Sequence, residues 1–139
     1  MSAESIAMGM LGGLGLVFGG VLIWALTTQA ADGKLDSNPV AGIRTAATMT
    51  SPEAWTAGHR AALPWARRLG IFGVLAGLLL LATTFLPGGK GAEPTGAHPL
   101  SFVIFAVGWA GLLLGCVPLV GTANRAARQA APSGDATGA

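Results

Sequence analysis

The sequence predicts an all-α membrane protein with three transmembrane helices. Its 139 residues are 52% hydrophobic and only 10% charged, well under half of the roughly 25% charged residues of a soluble domain. Three runs contain no Asp, Glu, Lys or Arg, and each is long enough to cross a hydrocarbon core about 30 Å thick as a helix. These runs are Ile6 to Leu26, Leu69 to Leu86 and Leu100 to Val120.

The domain organisation follows from these runs. We predict one membrane domain over residues 1–128, with spans at about 6–27, 66–86 and 100–121. A loop of ordinary polarity, which carries the motif described below, covers residues 38–63. Residues 129–139 are rich in Ala, Ser and Gly and are expected to form a disordered tail.

The positive charges predict the orientation of the chain, because Lys and Arg accumulate in cytoplasmic loops. Between the second and third runs, Lys90 is the only Lys or Arg. We therefore expect a multi-pass protein of the bacterial plasma membrane with its N-terminus outside and its C-terminus in the cytoplasm. The charges on the cytoplasmic side are Lys34, Arg44, Arg60, Arg67 and Arg68 after the first run, and Arg125 and Arg128 after the third.

Glycine is abundant in all three runs and falls at helical spacing. Small residues three or four positions apart let helices approach closely in a membrane. We expect these stripes to form seams of a tight three-helix bundle, although the same seams suit a homodimer or a larger assembly. The packing glycines are Gly9, Gly13 and Gly20 in the first run, Gly73 and Gly77 in the second, and Gly111 and Gly115 in the third.

A helix is predicted to begin inside the loop between the first two runs. Ser51 is a good capping residue, Pro52 is tolerated at the first helical position, and Glu53 faces the positive end of the helix. The helix should extend to about Leu63 and lie at the cytoplasmic membrane interface. Pro64 then either separates it from the second span or kinks one continuous helix.

The same loop supplies the candidate functional residues. Trp55 and His59 share one face of the predicted helix, with Arg60 beside them. Gly42 can adopt an unusual backbone angle, and Arg44 offers a planar fork of donors for lipid phosphate, an acidic side chain or backbone carbonyls. The segment either ties the first two spans together or forms a cytoplasmic docking surface or the inner gate of a small pocket.

Catalysis is not indicated. Intramembrane ionisable groups usually mark ion or proton routes, and the three runs contain none. Glu53 and His59 are six positions apart and diverge on a helix, which makes them a poor acid–base pair. The sequence shows no metal-spaced Cys/His cluster, no phosphate loop and no basic platform for nucleic acid. We therefore expect a non-enzymatic protein without metal, cofactor or nucleic-acid partner.

The stretch NPVAGIRTAATMTSPEAWTAGHR, from Asn38 to Arg60, resembles the signature of the SdpI family of bacterial membrane proteins. In that family an Asn leads into a G-[IL]-R-T turn, followed by a helix start with Glu and Trp and then a His. The flanking spans agree in hydropathy and order. The matching positions are Asn38, Gly42, Ile43, Arg44, Thr45, Glu53, Trp55 and His59.

The resemblance implies a role in immunity or signalling. The founding member protects a cell against a secreted peptide toxin and is similar to a receptor that holds a cytoplasmic repressor at the membrane. This chain resembles its three-span C-terminal portion. The resemblance implies that Arg44 fixes the loop and that Trp55 and His59 form the contact face. The expected partners are membrane lipids and a peptide toxin or cytoplasmic regulator; the alternative is a structural accessory subunit of a larger membrane complex.

Overall fold

The computed structural model describes residues 6–38, 40–86 and 99–131. Within these ranges the chain forms three long helices and no strand: α1 (Gly13–Ala31), α2 (Pro52–Thr83) and α3 (Pro99–Ala130). A π-helical turn, Met8–Gly12, leads directly into α1. Residues 87–98, between the second and third runs, and residues 132–139 of the expected tail lie outside the described residues, whereas Gln129 and Ala130 of that tail belong to α3.

Each of the three helices is long and apolar enough to cross a membrane. Their most apolar windows have mean hydropathies of 2.0, 1.6 and 2.3 in chain order. Most side chains in these windows are not buried inside the protein, since only 28%, 39% and 17% of each window is covered. Apolar surface left uncovered on this scale is stable in lipid rather than in water. The prediction of an all-α membrane protein with three membrane helices is confirmed, and the chain is a multi-pass membrane protein.

The helix predicted at Pro52 begins there, but it is not a separate element. Ser51 caps it, accepting a hydrogen bond from the amide of Ala54 at 3.1 Å, and the helix then continues through Pro64 to Thr83. The helix expected from Pro52 to about Leu63 is therefore the first part of α2, and of the two arrangements expected at Pro64 the continuous helix is observed. Proline removes one backbone hydrogen bond, a loss that neighbouring groups compensate in many membrane helices.

The chain divides into two compact units. The first contains Met1–Trp24 and Arg67–Cys116, and the second contains Ala25–Ala66 and Val117–Ala139. Each helix thus contributes one segment to each unit. The long uncharged parts of α2 and α3 belong to the first unit, and the motif-bearing loop belongs to the second.

In the first unit α1 and α2 approach each other backbone to backbone. A Cβ atom added to Gly77 would lie 2.5 Å from the carbonyl oxygen of Gly13, and one added to Gly20 would lie 2.8 Å from the carbonyl oxygen of Gly70 and 3.2 Å from the Cα atom of Gly73. Neither helix has room for a side chain at these positions. Such close approach increases dispersion contact between helices, which is the main source of helix association in lipid.

The glycines of α3 in the same unit play a different part. A Cβ atom on Gly111 would lie 2.5 Å from the ring of Phe72, and one on Gly115 would overlap the side chain of Leu69. These two glycines therefore receive side chains of α2 and do not bring backbones together. At the other end of the unit, the methyl group of Thr84 occupies the space beside Gly9.

Trp109 of α3 lies against α1 in the first unit. Its ring is 3.0 Å from the Cβ position of Gly15 and 6.4 Å, between centroids, from the ring of Phe105. Its indole Nε1 is buried and has no hydrogen-bond partner among the described residues. The ring is thus held by packing alone.

Candidate functional site

The candidate site lies in the second unit, where the loop from Leu35 to Ser51 folds against α2. Asn38 begins this arrangement as a turn residue. Its side-chain oxygen accepts hydrogen bonds from the amides of Val40 and Ala41, both at 2.9 Å, and its amide nitrogen donates to the carbonyl of Asp36 at 2.8 Å. Asparagine favours such turns because its short side chain can satisfy neighbouring backbone groups.

Gly42 is fixed by two independent requirements. Its φ angle of 97° lies in the region that residues with a Cβ atom rarely adopt. A Cβ atom here would also lie 2.6 Å from the ring of Trp55 and 2.9 Å from Nε2 of His59. The backbone at Gly42 therefore rests directly on the two aromatic rings of α2.

His59 holds the next residue of the turn. Its Nε2 accepts a hydrogen bond from the amide of Ile43 at 2.8 Å, and its Nδ1 lies 2.8 Å from the carbonyl oxygen of Trp55. An amide can only donate and a carbonyl can only accept. The two contacts therefore require the neutral imidazole, with its proton on Nδ1.

Burial, like the two hydrogen bonds, favours the neutral form of His59. The side chain is completely buried, and it lies ten residues before Leu69, where the uncharged run of α2 starts, outside the span predicted at about 66–86. Burial penalises the imidazolium and lowers the pKa of His59, while the hydrogen bond to the Trp55 carbonyl opposes this shift and is the smaller effect.

Trp55 completes the support beneath the turn. Its ring centroid lies 4.1 Å from that of His59, and its Nε1 donates to the carbonyl of Leu35 at 2.8 Å. Only 1% of Trp55 is exposed. Trp55 and His59 therefore do not form an exposed contact face, as the sequence suggested, because the loop itself covers that face of α2.

Two threonines and an asparagine fasten the far side of the turn. Thr48 accepts a hydrogen bond from the amide of Thr45 at 2.9 Å and donates to the carbonyl of Ile43 at 2.6 Å. The hydroxyl of Thr45 donates to the side-chain oxygen of Asn124 on α3. We call the segment Gly42–Thr48 the locked turn, because side-chain hydrogen bonds hold Ile43, Thr45 and Thr48 in place.

Sequence reasoning missed three members of this arrangement. Thr48 and Asn124 are polar residues without a motif of their own, and Asn124 is 79 positions from its partner Thr45. Gly58 was also overlooked: a Cβ atom there would lie 3.0 Å from the carbonyl oxygen of Ala123, which shows that α2 and α3 approach closely in this unit. The only available signal for Gly58 was its place, one residue before His59.

Arg44 behaves differently from its expected role. Its side chain is exposed, and it forms no hydrogen bond or ion pair with any other described residue. The loop is fixed by His59, Thr48 and Asn124 instead. Arg44 therefore projects from a turn whose neighbouring residues are all engaged.

Glu53 and Arg60, the other charged candidates, are exposed on the first part of α2. The guanidinium of Arg60 donates to the carbonyl of Ala31 at 3.3 Å. Both residues border an open depression of about 470 Å³. Its lining residues are Pro52, Glu53, Thr56, Ala57, Arg60 and Ala130.

The chemistry of the site is that of a scaffold with exposed charges. Glu53 is exposed and His59 is buried beneath the turn, so the structure does not bring them together as an acid–base pair. No group of three or more His, Cys, Asp or Glu side chains that could hold a metal ion occurs within residues 6–38, 40–86 and 99–131. What the arrangement provides is a rigid turn and a charged, concave surface.

Comparison with known protein families assigns the chain to a family. The model of the SdpI/YfhL protein family matches residues 34–122, which is more than half of the chain. The chain belongs to the SdpI/YfhL protein family. The match spans the locked turn, all of α2 and most of α3, so the resemblance expected from the motif is confirmed for this SdpI-type protein. No curated protein and no solved structure matches the chain.

Proposed function

We propose that this SdpI-type membrane protein is a non-enzymatic immunity or signalling protein that responds to a secreted peptide toxin. Its locked turn and the first part of α2 would lie on the cytoplasmic side of a bacterial membrane, and the depression along α2 would bind a cytoplasmic regulator. The N-terminus would lie outside, as the distribution of Lys and Arg indicates.

The observation that carries the proposal is that some motif residues are buried and support the turn while others are exposed. Trp55 and His59 are buried, and the backbone of the turn at Gly42 rests on their rings. Glu53 and Arg60 are exposed along one depression. A set of residues that served only to join two spans would not need exposed charges beside a rigid support, whereas a docking surface needs both.

The depression fits a partner that presents complementary charges. Glu53 and Arg60 carry opposite charges across a concave surface, so a partner must match both in position. Such matching contributes more to the choice of partner and the rate of association than to affinity. A cytoplasmic regulator that presents a Lys and an Asp side by side on an exposed helix would match the charges of the depression.

A survival assay tests this proposal. The gene is deleted in its host, the cells are exposed to peptide toxins secreted by related strains, and survival is measured after complementation. Wild type should restore protection, and the double variant Glu53→Gln, Arg60→Gln should not. The matched control is Asp32→Asn, Lys34→Gln, which also removes one charge of each sign from an exposed pair whose atoms are 3.3 Å apart.

The outcomes separate the two roles of the residues. Protection by the control but not by the double variant, at equal membrane levels, supports a docking surface at the depression. Full protection by both variants contradicts it. If deletion of the gene changes survival for no toxin, the immunity role itself is wrong.

A second candidate is a structural accessory subunit of a larger membrane complex. An apolar groove of about 330 Å³ in the first unit favours it, since a helix of another protein would bury this surface. Copurification in equal amounts with a large membrane complex would support this role. The groove residues are Phe72, Leu75, Ala76, Leu79, Val103, Ile104, Val107 and Gly108.

A further inference from the structure

We infer that Arg44 is a binding site for the phosphate of an anionic membrane phospholipid. The first observation is the contrast within the locked turn. The amide of Ile43 is bonded to His59, its carbonyl to Thr48, and both the amide and the hydroxyl of Thr45 have partners. The Arg44 side chain between them is exposed and has no partner among the described residues.

This contrast matters energetically. Holding a flexible arginine for a ligand costs conformational entropy, and a fixed backbone reduces that cost before the ligand arrives. Guanidinium groups bind phosphate oxygens through two parallel N–H donors, so a rigidly mounted arginine is suited to a phosphate.

The second observation is the position of the turn relative to the membrane. Thr45 is bonded to Asn124 of α3, which lies four residues beyond Val120, the last large apolar residue of that helix. Four residues extend about 6 Å along a helix. A headgroup layer is about 5–8 Å thick on each side of the hydrocarbon core. The turn therefore lies at the depth of lipid phosphates.

The third observation is the character of the surroundings. Arg125 immediately follows Asn124, Arg128 lies one helical turn further on, and both are exposed. Two apolar side chains of the loop are exposed as well: Val40 is 86% exposed and Met49 is 42% exposed. Exposed cations and exposed apolar side chains in the same unit are typical of the boundary between headgroups and acyl chains, where anionic lipids attract basic residues.

Native mass spectrometry of the full chain in mild detergent tests the site. The probes are phosphatidylglycerol, phosphatidylcholine with the same acyl chains, and soluble glycerol phosphate. The variants are Arg44→Gln and Arg44→Lys. The matched control is Arg67→Gln, which removes an exposed arginine that lies on α2 and not in the locked turn. Hydrogen exchange at the Ile43 amide checks that each variant keeps the locked turn.

The expected result is selective loss. Arg44→Gln should weaken phosphatidylglycerol binding roughly fivefold, the effect of one basic residue near an anionic surface, and Arg67→Gln less than about twofold. Arg44→Lys should fall between them because it keeps the charge but loses the fork.

Four outcomes would overturn the inference. These are equal losses in Arg44→Gln and Arg67→Gln, equal binding of phosphatidylcholine, equal binding of soluble glycerol phosphate, and unchanged phosphatidylglycerol binding in Arg44→Gln. If that last variant instead loses a copurifying acidic protein, Arg44 serves a protein partner and not a lipid.

Discussion

The imidazole of His59 accepts a hydrogen bond from the amide of Ile43 at 2.8 Å, across sixteen residues of sequence. This bond joins the two halves of the family motif, the turn and the helix. It also sets the protonation state of the histidine, because the acceptor nitrogen must carry a lone pair.

Replacing His59 by Ala should open the locked turn. The Ile43 amide would then lie buried without an acceptor, at a cost of about 1–3 kcal/mol. Hydrogen exchange in detergent micelles should show loss of protection at Ile43, while amides of the first unit keep theirs. Lys34→Ala, at an exposed position, is the control. Unchanged protection of Ile43 in His59→Ala would contradict the hydrogen bond.

Alanine at Gly42 should destabilise the second unit more than alanine at Gly33. Both glycines have positive φ, 97° and 72°, so both substitutions introduce strain of about 1–2 kcal/mol. A Cβ atom at Gly33 meets nothing within 4 Å, whereas one at Gly42 meets Trp55 at 2.6 Å. Chemical unfolding of the two variants in micelles measures the free energy of unfolding, which should be lower for Gly42→Ala than for Gly33→Ala. Equal destabilisation would mean that Trp55 does not lie against the turn.

Acidification should weaken the locked turn. Burial holds the pKa of His59 below its ordinary value, which is about 6.5 in an unfolded chain. The opened state therefore binds a proton more readily than the closed state. Stability is fully present above about pH 6.5 and is lost as the pH falls below it. Protection factors at Ile43, measured across this range, should decrease in wild type, and opening should show no such pH dependence in His59→Ala.

The contact between α1 and α2 in the first unit predicts a sharp contrast between two glycines. Gly77→Ala should weaken helix packing because its Cβ atom would lie 2.5 Å from the Gly13 carbonyl oxygen. Gly121→Ala should be neutral or stabilising by up to about 1 kcal/mol, since nothing lies within 4 Å and alanine is the better helix former. Thermal unfolding in micelles compares the two. A more stable Gly77→Ala protein would refute the close approach.

The bond between Thr45 and Asn124 should appear as coupling in a double-mutant cycle. Thr45→Val and Asn124→Ala each remove one partner of the bond, and the double variant removes both. The coupling energy should be about 0.5–1.5 kcal/mol. A cycle of Thr50→Val with Asn124→Ala is the control, because among the described residues the Thr50 hydroxyl donates to the nearby carbonyls of Ala46 and Ala47 and not to Asn124. Additive effects in the first cycle would show that the turn is not attached to α3.

Hydropathy alone predicted the three membrane helices, because each uncharged run is as long as a membrane is thick. The path of the chain between the first two helices was harder to predict. Pro64 is compatible both with a break and with a continuous helix, and the choice depends on how the surroundings replace the lost hydrogen bond. Local sequence does not contain that information.

The sequence placed several residues of the loop and of α2 in one motif, but it did not predict how they are arranged. The helical spacing of Trp55 and His59 placed them on one face, yet it could not show that the loop covers that face. Exposure was consequently assigned to the buried pair, and a fixing role to Arg44, which is exposed. The partners Thr48 and Asn124 depend on tertiary contacts that no local pattern reports.

Nitrogen-15 NMR of His59 in the full chain, at neutral pH in micelles, tests the central claim most directly. The structure predicts a neutral ring with its proton on Nδ1, and a scalar coupling between Nε2 and the amide nitrogen of Ile43 across their hydrogen bond. A ring protonated on Nε2, or an imidazolium without that coupling, would contradict the locked turn and the support it gives to the exposed charges.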